Sequence, residues 1–472
     1  MPPGGAEHRA EQMAFLSGLR HEWGTAPELD GLMSSVETSG QWPEDSNEAV
    51  NTRRWRRDYN LEVRLPQDLV EEMARTRVLA RKAWQEAREK KKYHIFLPWM
   101  KKTVDLSRRV ADCYGYTTEP YDALLDVYEP GMTAGRLGKI FDRLRPGLVT
   151  LLEDIKNAPR RPDKSILTRS FPVKDQEAFA KEASAAIGFD YNKGRLDVVT
   201  HPFCTDIGPA DVRITTRYDE NFFSGAFFGV IHESGHGIYS QNLPVENWGT
   251  PLGEAVSLGI HESQSRLWEN MVARSKPFWQ HWFPKARQRF DALKDVELED
   301  FLFAINEVAP SFIRVEADEV TYNLHILLRF DLERRLVDGS LDCEDLPSAW
   351  NERFENDFGL KVPDDASGCL QDVHWSIGYL GYFPTYALGN LNAAQLMETA
   401  REQIAGLDDH FRQGDYAPLR QWLTENIHAH GRRYLPEELI ERVTGRPLDE
   451  IALLDYLKNK FYPLYGLSPS EE

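Results

Sequence analysis

Residues 224–241 read SGAFFGVIHESGHGIYSQ, and this pattern decides how the rest of the chain is read. His232 and His236 are four apart, so on a helix they sit one turn apart and only about 40° round from each other. Both imidazoles can then reach one Zn2+. The apolar run Ala226, Phe227, Phe228, Val230 and Ile231 just before them predicts that this helix is buried. Glu233 follows the first histidine by one position, the place from which an H-E-x-x-H helix supplies a general base. An ion held there lowers the pKa of a water from about 15.7 to roughly 7 and polarises a scissile carbonyl. The competing reading is a histidine pair hydrogen-bonded inside a core. It is weakened by the apolar run and by carboxylates downstream where a third ligand is needed.

Downstream, 243–250 reads as a loop, and Pro251 opens a helix with Leu252, Ala255, Leu258, Leu267 and Trp268. Its carboxylates are Glu254, Glu262 and Glu269. The last two are seven apart and face the same way, so spacing does not choose between them, while Glu254 points elsewhere. Upstream, 195–200 (RLDVVT) and 211–218 (DVRITTRY) alternate polar and β-branched residues. They predict two half-buried strands in an antiparallel pair joined by the loop HPFCTDIGPA. Immediately before a zinc-type helix, such a pair is either an edge for a peptide backbone or a structural hairpin.

Elsewhere, apolar residues at three- and four-residue intervals predict helices. They cover 13–34 with a break near Pro27, then 51–59, 66–94, 97–113, 121–129, 133–158, 175–187, 391–411, 416–428, 436–443 and 448–461. Residues 1–12, rich in Pro, Gly and charge, are expected to fray. No fixed-period repeat is present, which argues against a solenoid. The organisation expected is a single domain over 1–472, with a mostly helical part at 1–193, a core carrying sheet and metal site at 194–390, and closing helices at 391–472.

A formal charge of −19 and a pI near 5.2 argue against nucleic acid as a partner, because phosphate binding needs a basic face. REKKKYH at 88–94 therefore reads as a solvated helix face. Hydrophobic content of 41% with 12 Trp excludes a disordered chain. Cys113, Cys204, Cys343 and Cys369 lie far apart with no C-x-x-C spacing, as reduced thiols do. The amino terminus MPPGGAEHRAEQ shows no basic-then-apolar leader, and no window approaches 18 consecutive apolar residues. A cytoplasmic protein without a membrane partner is expected.

At HESQSRLWEN, residues 261–270, the chain resembles the M32 family of metallocarboxypeptidases, the carboxypeptidase Taq family. HPF (201–203), DVRIT (211–215), HESGH (232–236), HESQ (261–264), IRVEAD (313–318) and GCLQDVHW (368–375) follow that family's order. Together they are far more specific than H-E-x-x-H alone. The resemblance implies that Glu262 is the third zinc ligand, 25 residues (237 to 261) separating it from His236. It also implies a homodimer and a mainly α-helical, gluzincin-type fold with a cleft and a small antiparallel β-sheet next to the zinc helix.

A carboxypeptidase needs a fixed cation about one residue beyond the scissile bond, and a guanidinium's planar fork suits a terminal carboxylate. The resemblance supports Arg314 in IRVEAD, with Arg213 as rival. The ordinary readings are an ion pair of Arg314 with Asp318 on a surface helix, and a strand-face charge near Asp211 for Arg213. His374 in GCLQDVHW is a candidate donor to the oxyanion or the terminal carboxylate, unless it is a buried histidine packed beside Trp375. Tyr382 or Tyr386 could stabilise the oxyanion, though aromatic packing explains either equally well. His428 and His430 are two apart, cannot share a helix face, and read as surface residues.

The expected function is a metal-dependent carboxypeptidase that releases C-terminal amino acids from free-ended peptides, using Zn2+, with Co2+ or Mn2+ accepted by the same ligands. The alternatives are a zinc oligopeptidase or endopeptidase on the same helical plan, and a non-enzymatic helical scaffold that keeps a metal structurally. The presence of Glu233 argues against the scaffold.

Overall fold

The motif stretch lies in one helix, Phe223–Asn242, that is apolar on nearly every side and buried accordingly. Phe223 stacks on Phe227 at 5.4 Å, Phe227 meets Trp279 at 5.2 Å, and Trp279 meets the Phe301 ring at 4.5 Å. Two glycines let neighbours approach closely. A Cβ on Gly235 would lie 2.6 Å from the Ser265 Cα, and one on Gly237 would lie 2.5 Å from the Phe189 ring. Only glycine fits at either place, and the first closeness brings the helix carrying Glu262 against the two histidines.

The computed structural model describes residues 3–199 and 202–468, so His201 of the HPF pattern lies outside the described residues. The fold is mainly α-helical with one small sheet, as expected. The chain forms two compact units, each discontinuous in sequence. The first comprises Met1–Arg145, Pro310–Ala317 and Thr321–Pro384, and the second comprises Pro146–Ala309, Asp318–Val320 and Thr385–Glu472. Residues 194 and 390 both fall inside the second unit. Among the described residues no helix is long and apolar enough to cross a membrane.

In the first unit, Ala6–Gly24 packs its small residues Ala6, Ala10, Ala14 and Gly18 toward Gln67–Lys90. That burial orders a stretch whose composition predicted fraying. The expected break at Pro27 is present, since Pro27–Thr38 is a separate helix. The basic run 88–94 closes Gln67–Lys90 and is paired, Lys90 with Glu86 at 2.6 Å and Lys91 with Asp364 at 2.7 Å. Thr321–Asp338 is buried along most of its length and forms the unit's central helix.

The sheet, in the second unit, differs from the expected antiparallel pair. β1 (Gly194–Val198), β2 (Cys204–Gly208) and β3 (Asp211–Thr216) lie in the order β1-β3-β2. β1 and β3 run parallel, with Arg195 opposite Arg213, and β2 runs antiparallel to β3. The stretch read as a loop holds β2, which makes a hairpin with β3 and takes one edge, so β1 joins the other edge in the same direction. Alternation reported the strands but carried no information on their direction.

The helix expected from Pro251 begins later. Pro251–Gly253 is a single 3-10 turn, Glu254 is extended, and Ser257 caps Leu258–Arg266 by accepting from the Ile260 N–H at 3.1 Å. Likewise the helix expected over 391–411 is divided into Pro384–Gln403 and Leu407–Gln413, where Gly406 takes a left-handed conformation.

Candidate metal centre

The second unit brings His232, His236 and Glu262 together, one ligand atom from each lying within 4.8 Å of the others. Glu262 Oε2 is 3.3 Å from His236 Nε2 and 3.8 Å from His232 Nε2. Two ligands of a tetrahedral Zn2+ at ordinary bond lengths are separated by about 3.3 Å, so the triangle is close to the size such an ion needs. Glu262 is buried whereas both histidines are half-buried, which leaves the imidazole side open to a guest.

Each ring's other nitrogen is already engaged. His232 Nδ1 lies 2.9 Å from Glu269 Oε2, and His236 Nδ1 lies 2.6 Å from His261 Nδ1. Burial, and then the adjacent His236, push the His261 pKa down to about 3, so this ring is neutral and its Nδ1 can accept a hydrogen bond from the His236 Nδ1–H. Both ligand candidates then carry hydrogen on Nδ1 and present Nε2 lone pairs beside the same carboxylate oxygen. This donor set fits a borderline divalent cation.

The two glutamates that spacing left equivalent do different things. Leu258–Arg266 continues into a π-helix, Leu267–Ala273, whose wider turn carries Glu269 off the α-helical line. Glu262 meets both Nε2 atoms; Glu269 sits behind His232. Glu269 is held by Arg266 at 3.3 Å and Arg274 at 3.5 Å. Burial alone would raise its pKa, but the hydrogen bond to His232 and the charge of Arg266 outweigh it and hold the value at about 2. Glu262 is likewise desolvated, yet Arg266 Nε at 2.7 Å and the two histidines hold it well below the carboxylate range. Sequence reasoning missed Gly389 on Pro384–Gln403: a Cβ there would lie 2.4 Å from the Glu262 Cγ, so this glycine leaves the space the carboxylate side chain occupies.

Glu233 is buried, and desolvation raises its pKa against the pull of His232 and His236. A carboxyl raised in this way is suited to taking and returning a proton near neutral pH. Arg213 on β3 pairs bidentately with Asp211 at 2.8 and 2.7 Å. Tyr386 stands one helical turn before Gly389 and is half-buried. His428 is fully buried, not a surface residue: its Nε2 lies 2.9 Å from Gln264 Oε1, and His430 is half-buried. The 3-10 turn His428–His430 turns the first ring inward, which a count of positions on a helix face does not foresee.

In the first unit, Arg314 is buried and its partner is Asp372, not Asp318. Its Nε and Nη2 donate to Asp372 Oδ1 at 3.1 and 2.8 Å, and its Nη1 donates to the Tyr322 hydroxyl at 3.0 Å. Arg329 holds the other oxygen of Asp372 at 2.8 and 2.6 Å. Despite burial, the two guanidiniums keep Asp372 ionised far below its usual range. The two guanidiniums share this one carboxylate. Asp318 accepts from the Ala309 and Val320 N–H groups instead. His374 lies 3.9 Å from Asp372 and packs against Phe383 and Tyr382 at 4.5 and 5.3 Å.

The loop carrying His374 and Tyr382 is pinned by a residue absent from the sequence reading. Glu333 accepts from Trp375 Nε1 at 2.7 Å, the Gly381 N–H at 3.0 Å and the Tyr121 hydroxyl at 2.6 Å. Burial dominates those bonds and raises its pKa to about 7. A carboxyl raised above its unfolded value favours the folded state below about pH 4.3, and that contribution is lost as pH rises through about 7. The expected loss is about 3 kcal/mol for a fully desolvated group. Glu333→Gln should therefore flatten the difference in urea midpoint between pH 4.5 and 7.5; an unchanged slope would show that Glu333 does not titrate in that window.

The family model described as carboxypeptidase Taq (M32) metallopeptidase matches residues 1–461. The chain is 48% identical to Thermostable carboxypeptidase 1 of Thermus thermophilus, over 99% of this chain and 93% of that protein. It is 39% identical to Carboxypeptidase 1 of Bacillus subtilis over the same shares. The crystal structure of an M32 carboxypeptidase from Deinococcus radiodurans is similar with a TM-score of 0.94, 39% identity, and coverage of 99% of this chain and 94% of that one.

Proposed function

This chain belongs to the carboxypeptidase Taq (M32) metallopeptidase family and is a metal-dependent carboxypeptidase acting on peptides, and from that premise we propose that His232, His236 and Glu262 hold its catalytic ion. The observation that carries this reading is the convergence of two Nε2 atoms and one carboxylate oxygen, with both Nδ1 positions already engaged. Zn2+ is the ion that these ligands suit, and Co2+ or Mn2+ are accepted by the same set. When bound, the ion supplies a Lewis acid for the scissile carbonyl and for water.

Glu233 takes the proton of the attacking water on its carboxylate and delivers it to the leaving amine. Tyr386 donates to the oxyanion in preference to Tyr382, because it shares a helix with the glycine that abuts Glu262. The peptide backbone adds to β2, which is a sheet edge with exposed Thr205, Asp206 and Ile207 and packs beside the motif helix. Arg314, a guanidinium fork held beside Arg329 on Asp372, attracts the chain-terminal carboxylate, with His374 as a further donor. Arg213, committed to Asp211, is the weaker candidate.

The two units act as one peptidase domain, since the family model runs through both. The chain acts as a cytoplasmic homodimer. Four free cysteines suit a reducing compartment, and Phe15, Leu16, Trp23 and Leu32, all more than half exposed on the amino-terminal helices, suit contact with a second copy.

Metal analysis together with mass spectrometry of a digested peptide tests the reading. One equivalent of ion and a ladder of single C-terminal losses is the expected result; internal cleavage would point to an oligopeptidase. Arg314→Ala leaves Asp372 its two bonds from Arg329, so the loop should survive. Its kcat/KM on free-ended peptides should fall about 10- to 100-fold, mostly through KM, matching the loss of one charged hydrogen-bonding partner. An equal fall on C-terminally amidated peptides would show that Arg314 does not read the carboxylate.

A further inference from the structure

A half-open pocket of about 100 Å3 lies in the first unit, between Gln67–Lys90, Leu97–Tyr114 and the loop containing Ser376, Gly378 and Leu380. A single water needs about 10–15 Å3 on this scale, so the space is suited to a guest larger than water. Its wall is apolar along Leu106, Val110, Leu124 and Leu380.

The polar lining is unusual. Thr76, Thr103 and Ser107 are 8%, 3% and 7% exposed, and none of their hydroxyls has a hydrogen-bond partner among the described residues. Helical Ser and Thr commonly return the hydroxyl to a carbonyl one turn back, as Thr52 does to Glu48 at 2.7 Å. These three do not, and their oxygens are open to the pocket instead of sealed away from it. The exposed Arg77 lines the same pocket. Its guanidinium lies 5.8 Å from the Tyr379 ring centroid and makes no hydrogen bond or ion pair with any described residue.

We propose that this pocket is a binding site for a small carboxylate bearing a short aliphatic chain. Arg77 pairs with the carboxylate, the three hydroxyls donate to its oxygens, and the aliphatic part lies along Leu106, Val110 and Leu124. A single guanidinium beside an apolar wall matches a monoanion with an apolar tail better than inorganic phosphate. The proposal goes beyond the metal-site reading and does not depend on it. It does place a ligand against the loop that carries His374 and Tyr382.

Calorimetric titration of the metal-loaded enzyme with isovalerate tests the site. Saturable binding is expected, weakened at least 10-fold in Arg77→Ala and measurably in Thr103→Val. Isovalerate held at the metal would be insensitive to both changes, so an unchanged affinity in Arg77→Ala overturns the proposal. Absence of saturable binding to the wild type also overturns it, since the pocket then holds water alone. Displacement of isovalerate by equimolar inorganic phosphate overturns the assignment to a carboxylate. Peptide hydrolysis measured on the same samples keeps failure of this site distinct from failure of the metal centre.

Discussion

Glu233→Gln should keep its metal and lose kcat by two to four orders of magnitude, the range that a positioned general base contributes. The substitution is nearly isosteric, and Glu233 is not among the three residues whose ligand atoms converge, so the centre should load as in the wild type. What disappears is the proposed proton acceptor. Its burial matters to the size of the effect, because a carboxyl raised by desolvation holds a proton firmly enough to return it to the leaving amine, and an amide cannot. KM should change little, since no ground-state contact is removed. Metal content by mass spectrometry and saturating kinetics on one preparation decide the matter: normal turnover with one bound ion would sink the role.

The parts of the site written within one helical turn were legible in the sequence. His232, Glu233 and His236 need only the 3.6-residue repeat to be brought together, and the apolar run before them foretold the burial that the helix shows. Glu262 was a different case, because α-helical spacing made it equivalent to Glu269 and only family resemblance chose between them. The π-turn over Leu267–Ala273 separates them, and nothing in the local residues announces it. Gly235 and Gly389 were invisible for a related reason: their role is a space shared with residues far along the chain. In the sheet, alternation showed where strands lie, but pairing direction depends on the path of the chain between them: the turn from β2 into β3 makes that pair antiparallel and leaves β1 parallel on the other edge. Arg314 and Asp372 are 58 residues apart, so the i,i+4 partner Asp318 looked nearer in sequence than the true one.

The separate duties of the two glutamates lead to the second large effect. Glu262→Ala removes one of the three proposed ligand atoms and leaves a buried hole beside Arg266, so the ion should be lost to a chelator that leaves the wild type loaded. Glu269→Ala should cost less, about 10- to 100-fold in metal affinity, because His232 keeps its Nε2 and loses only the acceptor that fixes its tautomer and orientation. Glu269→Gln should fall between Glu269→Ala and the wild type, since an amide oxygen still accepts from Nδ1–H but carries no charge. Competition titrations and the visible spectrum of the Co2+-substituted protein measure both affinity and geometry, independently of turnover. The spectrum should be absent in Glu262→Ala and shifted in Glu269→Ala. The reverse order of affinities would mean that the carboxylate behind His232 is the ligand and that the one facing both Nε2 atoms merely balances Arg266.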